Sequence, residues 1–324
     1  MTRSLAFCLL ALLLAGCNRY HTRAQGPFGK PIKEPPPPYG AMTPPKPPPE
    51  VDADPDTRPP FLKPPEPKPK LPSPFAPKTP ATPNTPDAKS LTELKAVLAT
   101  ASAAWKAVGT FEGTLTRREI NPQGAPTSEV VLFQFRKEPL GVYTRTISEN
   151  GKGREVIYSP GKHSDKLYLA LGQGDVKLLR AGTVLPGVSP DDPRVKEKTR
   201  YSIRDAGFGK NLTKLTDLLA KMEAGKLPPD SLTLHGPVKR DEYPYTLTGV
   251  THNLRADDDP LFPKGGSRTF FFDPNEKSPF HGLPVLIIAT DAAGKEAEYY
   301  LFEKVKSPAK LTDADFDPAR LGKK

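Results

Sequence analysis

Beyond residue 17 the chain contains no cysteine: its two are Cys8 and Cys17. The bulk of the molecule therefore has no disulfide, no thiol nucleophile and no cysteine-ligated metal. Its stability has to come from a packed core. Long apolar runs are absent as well. Leu5 to Leu14 spans ten residues, about half of what a helix needs to cross a bilayer. The histidines His163, His235, His252 and His281 are scattered singly, without HExxH or any paired spacing. There is no GxSxG, and Gly161-Lys162 and Gly209-Lys210 lack a glycine-rich phosphate cradle. Asp257 to Asp259 lack the spaced oxygen ligands of a calcium loop and read as a solvated turn. No dense Lys/Arg run with interleaved aromatics occurs, so nucleic acid is not an expected partner. The expectation is a non-enzymatic protein with no cofactor and no metal.

Proline is what the chain has in excess. Of its 42 prolines, 24 lie between Pro27 and Pro86. A stretch this rich in proline lacks backbone donors and apolar side chains, and cannot build a core. It favours extended polyproline II, and sixty residues at about 3.1 Å each reach roughly 190 Å. This segment reads as a disordered spacer. The folded part is then residues 88–324, long enough to bury a sizeable core. The net charge of +10 is shared between the two parts. It suits solubility, a surface near anionic headgroups, or cell-wall polymer.

The leader has a positive Arg3, the apolar Leu5 to Leu14, and then Leu14-Ala15-Gly16-Cys17. A ten-residue apolar core suits a signal peptide. The four residues ending in Cys17 resemble the lipobox of bacterial lipoprotein signal peptides. That resemblance implies cleavage before Cys17, a diacylglycerol on its sulfur and an acyl chain such as palmitate on its amine. Two or three acyl chains hold a protein firmly on a membrane. Asn18, where inner-membrane retention favours Asp, points by the same resemblance to the periplasmic face of the outer membrane. The expected organisation is a signal peptide over 1–16, lipidated Cys17 with the spacer over 17–87, and one domain over 88–324.

In that domain Ser90-Leu91-Thr92-Glu93 has a capping-box pattern and opens the apolar series Leu91, Leu94, Leu98, Ala101, Trp105, Val108. This spacing predicts a helix of about 18 residues. After Gly109 the period becomes two, and "TFEGTLTRREI", "SEVVLFQFRK", "GVYTRTIS", "REVIYSP", "KLYLALGQG" and "VKLLRAG" read as an antiparallel meander. Asn211 to Glu223 is a second helix, ended by Gly225. Strands resume with "DSLTLHG", "EYPYTLTGV", "SRTFFFDP", "LPVLIIATD" and "EAEYYLFEKV", the last two joined by a turn at Asp291 to Gly294. The class is α+β, a large curved antiparallel sheet wrapping helices.

This order, with "FFFDPNEKSPFHGLPVLIIATDAAGKEAEYYLFEKVKSPAKLTDADFDP" at the end, resembles the lipoprotein-localisation (Lol) carrier superfamily. The middle, "FRKEPLGVYTRTISENGKGREVIYSPG" and "TRYSIRDAGFGKNLTKL", is similar to an uncharacterised bacterial domain family placed there. The resemblance covers Ser90 to Leu321. It implies a half-open barrel lidded by helices around an apolar cavity for acyl chains. Unlike the soluble carrier of that system this chain carries a lipobox, and unlike its lipidated receptor it has a long proline spacer. The expected cavity wall is Trp105, Phe111, Leu115, Val131, Phe133, Phe135, Ile287 and Tyr299, although core packing explains the same apolar pattern. Arg136 and Arg154 are candidate headgroup contacts or structural ion pairs. The leading expectation is thus a membrane-anchored binding protein for a lipid or a lipoprotein acyl group. The alternative is an envelope scaffold that binds protein or peptidoglycan with a filled core. For the anchor, Cys17→Ser is expected to leave an uncleaved precursor that takes up no labelled palmitate; normal labelling would overturn the lipidation.

Overall fold

The computed structural model describes residues 88–256 and 258–323. The leader, Cys17, the proline-rich spacer and Asp257 lie outside these residues. The first element of the described residues is helix α1, Ala88–Ala107, which buries Leu94, Leu98 and Ala101. Ser90 sits inside this helix rather than capping it, because Ala88 and Lys89 are good helix formers and extend it backwards. The strands are β1 Thr110–Ile120, β2 Pro126–Arg136, β3 Gly141–Thr146, β4 Glu155–Tyr158, β5 Leu167–Ala170 and β6 Val184–Val188. A short helix α2, Pro193–Lys196, and the longer α3, Gly209–Glu223, follow. Five strands complete the sheet: β7 Leu232–Val238, β8 Leu247–Leu254, β9 Gly266–Phe272, β10 Pro284–Asp291 and β11 Glu296–Lys306.

All eleven strands form one open antiparallel sheet in the order β6-β5-β4-β3-β2-β1-β11-β10-β9-β8-β7. The expected large antiparallel sheet with few helices is what the chain builds. The long β1 pairs with β2 on one side and β11 on the other, so the first and last strands of the domain meet at the centre. The expected turn between β10 and β11 is present: Gly294 N–H donates to the Asp291 carbonyl over 2.9 Å. Asp291 Oδ1 accepts from Ala293 and Lys295 amides. The sheet stops at β6 and β7, which carry Pro186 and Pro237. Proline has no donor for a further ladder and is tolerated at such edges.

One expected strand is absent. Residues 176–182 ("VKLLRAG") form a turn, and β6 begins only at Val184. Val176 and Leu179 pack three positions apart against Leu169, Leu171 and Leu185, whereas a strand would bury alternate residues. α3 ends as expected, with Gly225 at φ +66°. Its amide bonds Met222 O and the Lys226 amide bonds Lys221 O, the paired closure of a Schellman motif. The segment after β11 crosses the outer face, where Phe316 and Leu321 pack on Tyr143, Ile157 and Ala170.

The core lies between the sheet and helices α1 and α3. At its centre Phe111 is 0% exposed and touches the rings of Phe133, Phe135, Phe208, Phe280 and Phe302, with centroids 5.0 to 6.2 Å away. Phe111→Ala is expected to cost about 3–5 kcal/mol, read as a lower urea midpoint with little change in slope.

Candidate functional site

The face under the helices divides into two halves, and strand periodicity sets the division. On β1 the inward set is Phe111, Gly113, Leu115, Arg117 and Glu119: apolar first, then charged. Register carries the same change across the neighbours. Phe111 faces Phe135, Leu115 faces Val131, and Arg117 faces Glu129 on β2. On β11, Leu115 faces Phe302, Arg117 faces Tyr300 and Glu119 faces Glu298. Ile287 and Phe270 continue the Tyr300 row, while Arg268 and His252 continue the Glu298 row.

Seven of the eight expected wall residues lie on this side: Trp105 on α1, and Phe111, Leu115, Val131, Phe133, Phe135 and Ile287 on the sheet. Tyr299 is the correction. It pairs with Arg118 on β1, one residue out of phase with Phe302 and Tyr300. It therefore points to the outer face, where the Arg118 guanidinium lies 3.6 Å over its ring. The ring cluster is closed by Phe208, which reaches Trp105, Phe280 and Phe302 at centroid distances of 5.1 to 5.7 Å. Phe208 enters between Gly207 and Gly209 from the segment that precedes α3. Gly207 holds φ +87°, and a Cβ there would fall 2.7 Å from the Trp105 ring. Trp105 packs that closely because both flanking residues lack side chains.

The two candidate arginines do not come together. Arg136 is on the outer face, donating to Asp313 at 2.7 Å and to the Pro139 carbonyl at 2.9 Å. Arg154 is at the charged end of the inner face. It binds Asp175 through Nε at 2.9 Å and lies 3.5 Å from Glu129. Both are engaged in structural ion pairs, the second of the two roles expected for them.

Sequence reasoning passed over the charged half. Glu298, 1% exposed, accepts from Arg200 Nε at 2.5 Å and Arg268 Nε at 3.1 Å, and the Tyr201 hydroxyl also donates to it. Arg200 further donates to the Ile120 and Leu261 carbonyls. Tyr300 donates to Glu119 at 2.5 Å, and Arg117 Nε to Glu129 at 2.8 Å. Asp259 lies 3.5 Å from Arg268 and 3.4 Å from Lys214 on α3. The segment carrying Arg200 and Tyr201 is tied at its other end by Arg204, which pairs with Asp165 and with Asp191. The covering chain is thus pinned by ion pairs at Arg200 and Arg204, both ahead of Phe208. The signal was present in the sequence, since the phase that runs Phe111, Leu115 continues into Arg117, Glu119.

Burial shapes the titration of this half. Burial pushes the Glu129 carboxyl up, but the Arg117 charge and hydrogen bond outweigh it and hold it below the usual 4.5. Burial, then the charges of Lys214 and Arg268, lowers His252 from 6.5 to about 4, against the opposing pull of Asp258 and Asp259. Among the described residues no group of side chains has a metal-binding arrangement, and no helix is long and apolar enough to cross a membrane. The arrangement offers an apolar surface bounded by charge.

Both groups bind protons more weakly folded than unfolded, so the stability they contribute is fully present above pH 6.5 and declines on acidification. His252 acts first, between 6.5 and about 4, and Glu129 below 4.5. The expected loss through His252 is on the order of 3 kcal/mol, measured as the urea midpoint against pH. His252→Gln should flatten that limb, and an unchanged slope would remove His252 as its source.

A family described as protein of unknown function, DUF1571, matches residues 108–321. No curated protein matches the sequence. Among solved structures, lipoprotein LppX of Mycobacterium tuberculosis is 12% identical, with 68% of this chain and 99% of that one covered and a TM-score of 0.38. LprF of Mycobacterium bovis is 14% identical, with 68% and 97% covered and a TM-score of 0.37. A domain ascribed to outer membrane lipoprotein sorting in Vibrio parahaemolyticus is 10% identical, with 71% and 99% covered and a TM-score of 0.34.

Proposed function

The chain belongs to the DUF1571 family of proteins of unknown function, and from there we propose that it is a membrane-anchored, non-enzymatic lipoprotein of the cell envelope. On this reading acylated Cys17 holds it on the periplasmic face of the outer membrane. Its domain binds a lipid, or the acyl part of a lipoprotein, against the apolar half of the helix-covered face.

The observation that carries the reading is the plug at Phe208. This ring fills the centre of an otherwise sheet-and-helix-borne aromatic surface, yet it belongs to a covering segment with glycine on either side. Withdrawing it vacates a space lined by Trp105, Phe111, Phe280 and Phe302. Exposing a phenyl ring costs up to about 3 kcal/mol. Each acyl methylene that takes its place contributes about 0.8 kcal/mol, so about four methylenes offset the ring. A longer chain gains beyond that. The adjoining charged half, with Arg117, Tyr201 and Tyr300 partly exposed, gives an amphiphile a polar end to meet.

The direct ring-to-ring packing also supports a second reading, an envelope scaffold whose filled core only supports a surface that binds protein or peptidoglycan. Native mass spectrometry and lipid extraction of the purified chain separate the two. Co-purified lipid is expected, together with binding of an apolar fluorophore that rises severalfold in Phe208→Ala, a substitution that lowers stability by about 3–5 kcal/mol. If neither protein holds lipid or fluorophore, the acyl-binding reading fails and the scaffold reading stands.

A further inference from the structure

We propose that the tip of the β5–β6 turn, Lys177-Leu178-Leu179-Arg180, is a contact for an anionic lipid bilayer. Leu178 is 90% exposed, the highest value among the exposed large apolar side chains of the described residues. It is not exposed because the turn is loosely held. Leu171 N–H donates to Thr183 O at 3.0 Å, and Gly182 N–H donates to Leu171 O at 2.8 Å. Asp175 accepts from the Gly172 amide at 2.7 Å while pairing with Arg154. Val176 and Leu179, on either side of Leu178, are anchored against Leu169, Leu171 and Leu185. A turn fixed at its base thus holds one leucine out in water.

The two charges of the tip itself are both positive. Lys177 and Arg180 are exposed, and among the described residues neither pairs with a carboxylate. The acidic groups nearby are occupied, Asp175 by Arg154 and Glu149 by Lys152. The neighbouring β3–β4 connection is bonded to this turn through Gln173 N–H to Lys152 O at 2.8 Å. It adds Ile147, 47% exposed, and β6 adds Val184, 45% exposed, at the same end of the sheet. A leucine that can enter the acyl boundary, flanked by cations that meet lipid phosphates, suits a peripheral bilayer contact.

A contact this small is weak on its own and gains weight from a tether that keeps the bilayer within reach. It therefore draws on the anchoring at Cys17 but is independent of acyl binding at Phe208. Docked this way, the domain turns the charged end of its helix-covered face toward the membrane.

The test places a photo-crosslinking amino acid in place of Leu178 in the full chain, with a control in place of Ala103, exposed on α1. Each protein is illuminated on vesicles of radiolabelled phosphatidylglycerol and phosphatidylcholine. Lipid is expected to label position 178 and not position 103. Labelling should fall about tenfold or more when Lys177→Glu and Arg180→Glu are combined, and likewise in phosphatidylcholine alone. Equal labelling at the two positions, no dependence on charge, or cross-links at 178 to protein instead of lipid would overturn the proposal. Lipid in the Phe208 region would label neither position, so failure of acyl binding leaves this result unchanged.

Discussion

A carboxylate with 1% exposure has to be matched on both oxygens, and Glu298 is matched by three side chains from two parts of the chain. Arg268 comes from β9, two strands away. Arg200 and Tyr201 come from the covering segment. Removing any one partner would leave charge stranded in a dry site, which costs far more than the pair is worth on its own. This constraint sets where the cover lies.

The inner face is consequently built from two materials. One half is aromatic and adapts poorly to any change of volume, since its rings are already in contact. The other is ionic, and it is strong only while it stays dry and fully paired. The covering segment belongs to both, with Arg200 in the ionic half and Phe208 in the aromatic one. The ring of Phe208 and the ion pairs of Arg200 are thus carried by one continuous stretch of chain.

Much of this was legible in residue order. The alternation in "TFEGTLTRREI" gave β1 to the residue, and the leucine spacing gave α3 within two residues. Tyr299 was misplaced because both phases of β11 are apolar, and apolar content alone does not say which phase faces inward. Its register against Arg118 decides that, and register is a long-range fact. The turn at 176–182 misled for a related reason: Val176 and Leu179 are buried from a non-strand conformation. The charged half was missed because charged residues in the inward phase look like a strand running into solvent. Only their partners, some of them about 180 residues away in sequence, make them interior.

The two proline-bearing edges bear on how such a molecule behaves in company. An open sheet offers unpaired backbone at each side, and a crowded surface raises the chance that copies will zip together. Here a chain arriving at β6 or β7 meets a ring where it needs an amide hydrogen. Each open edge of the sheet is thereby short of one backbone donor.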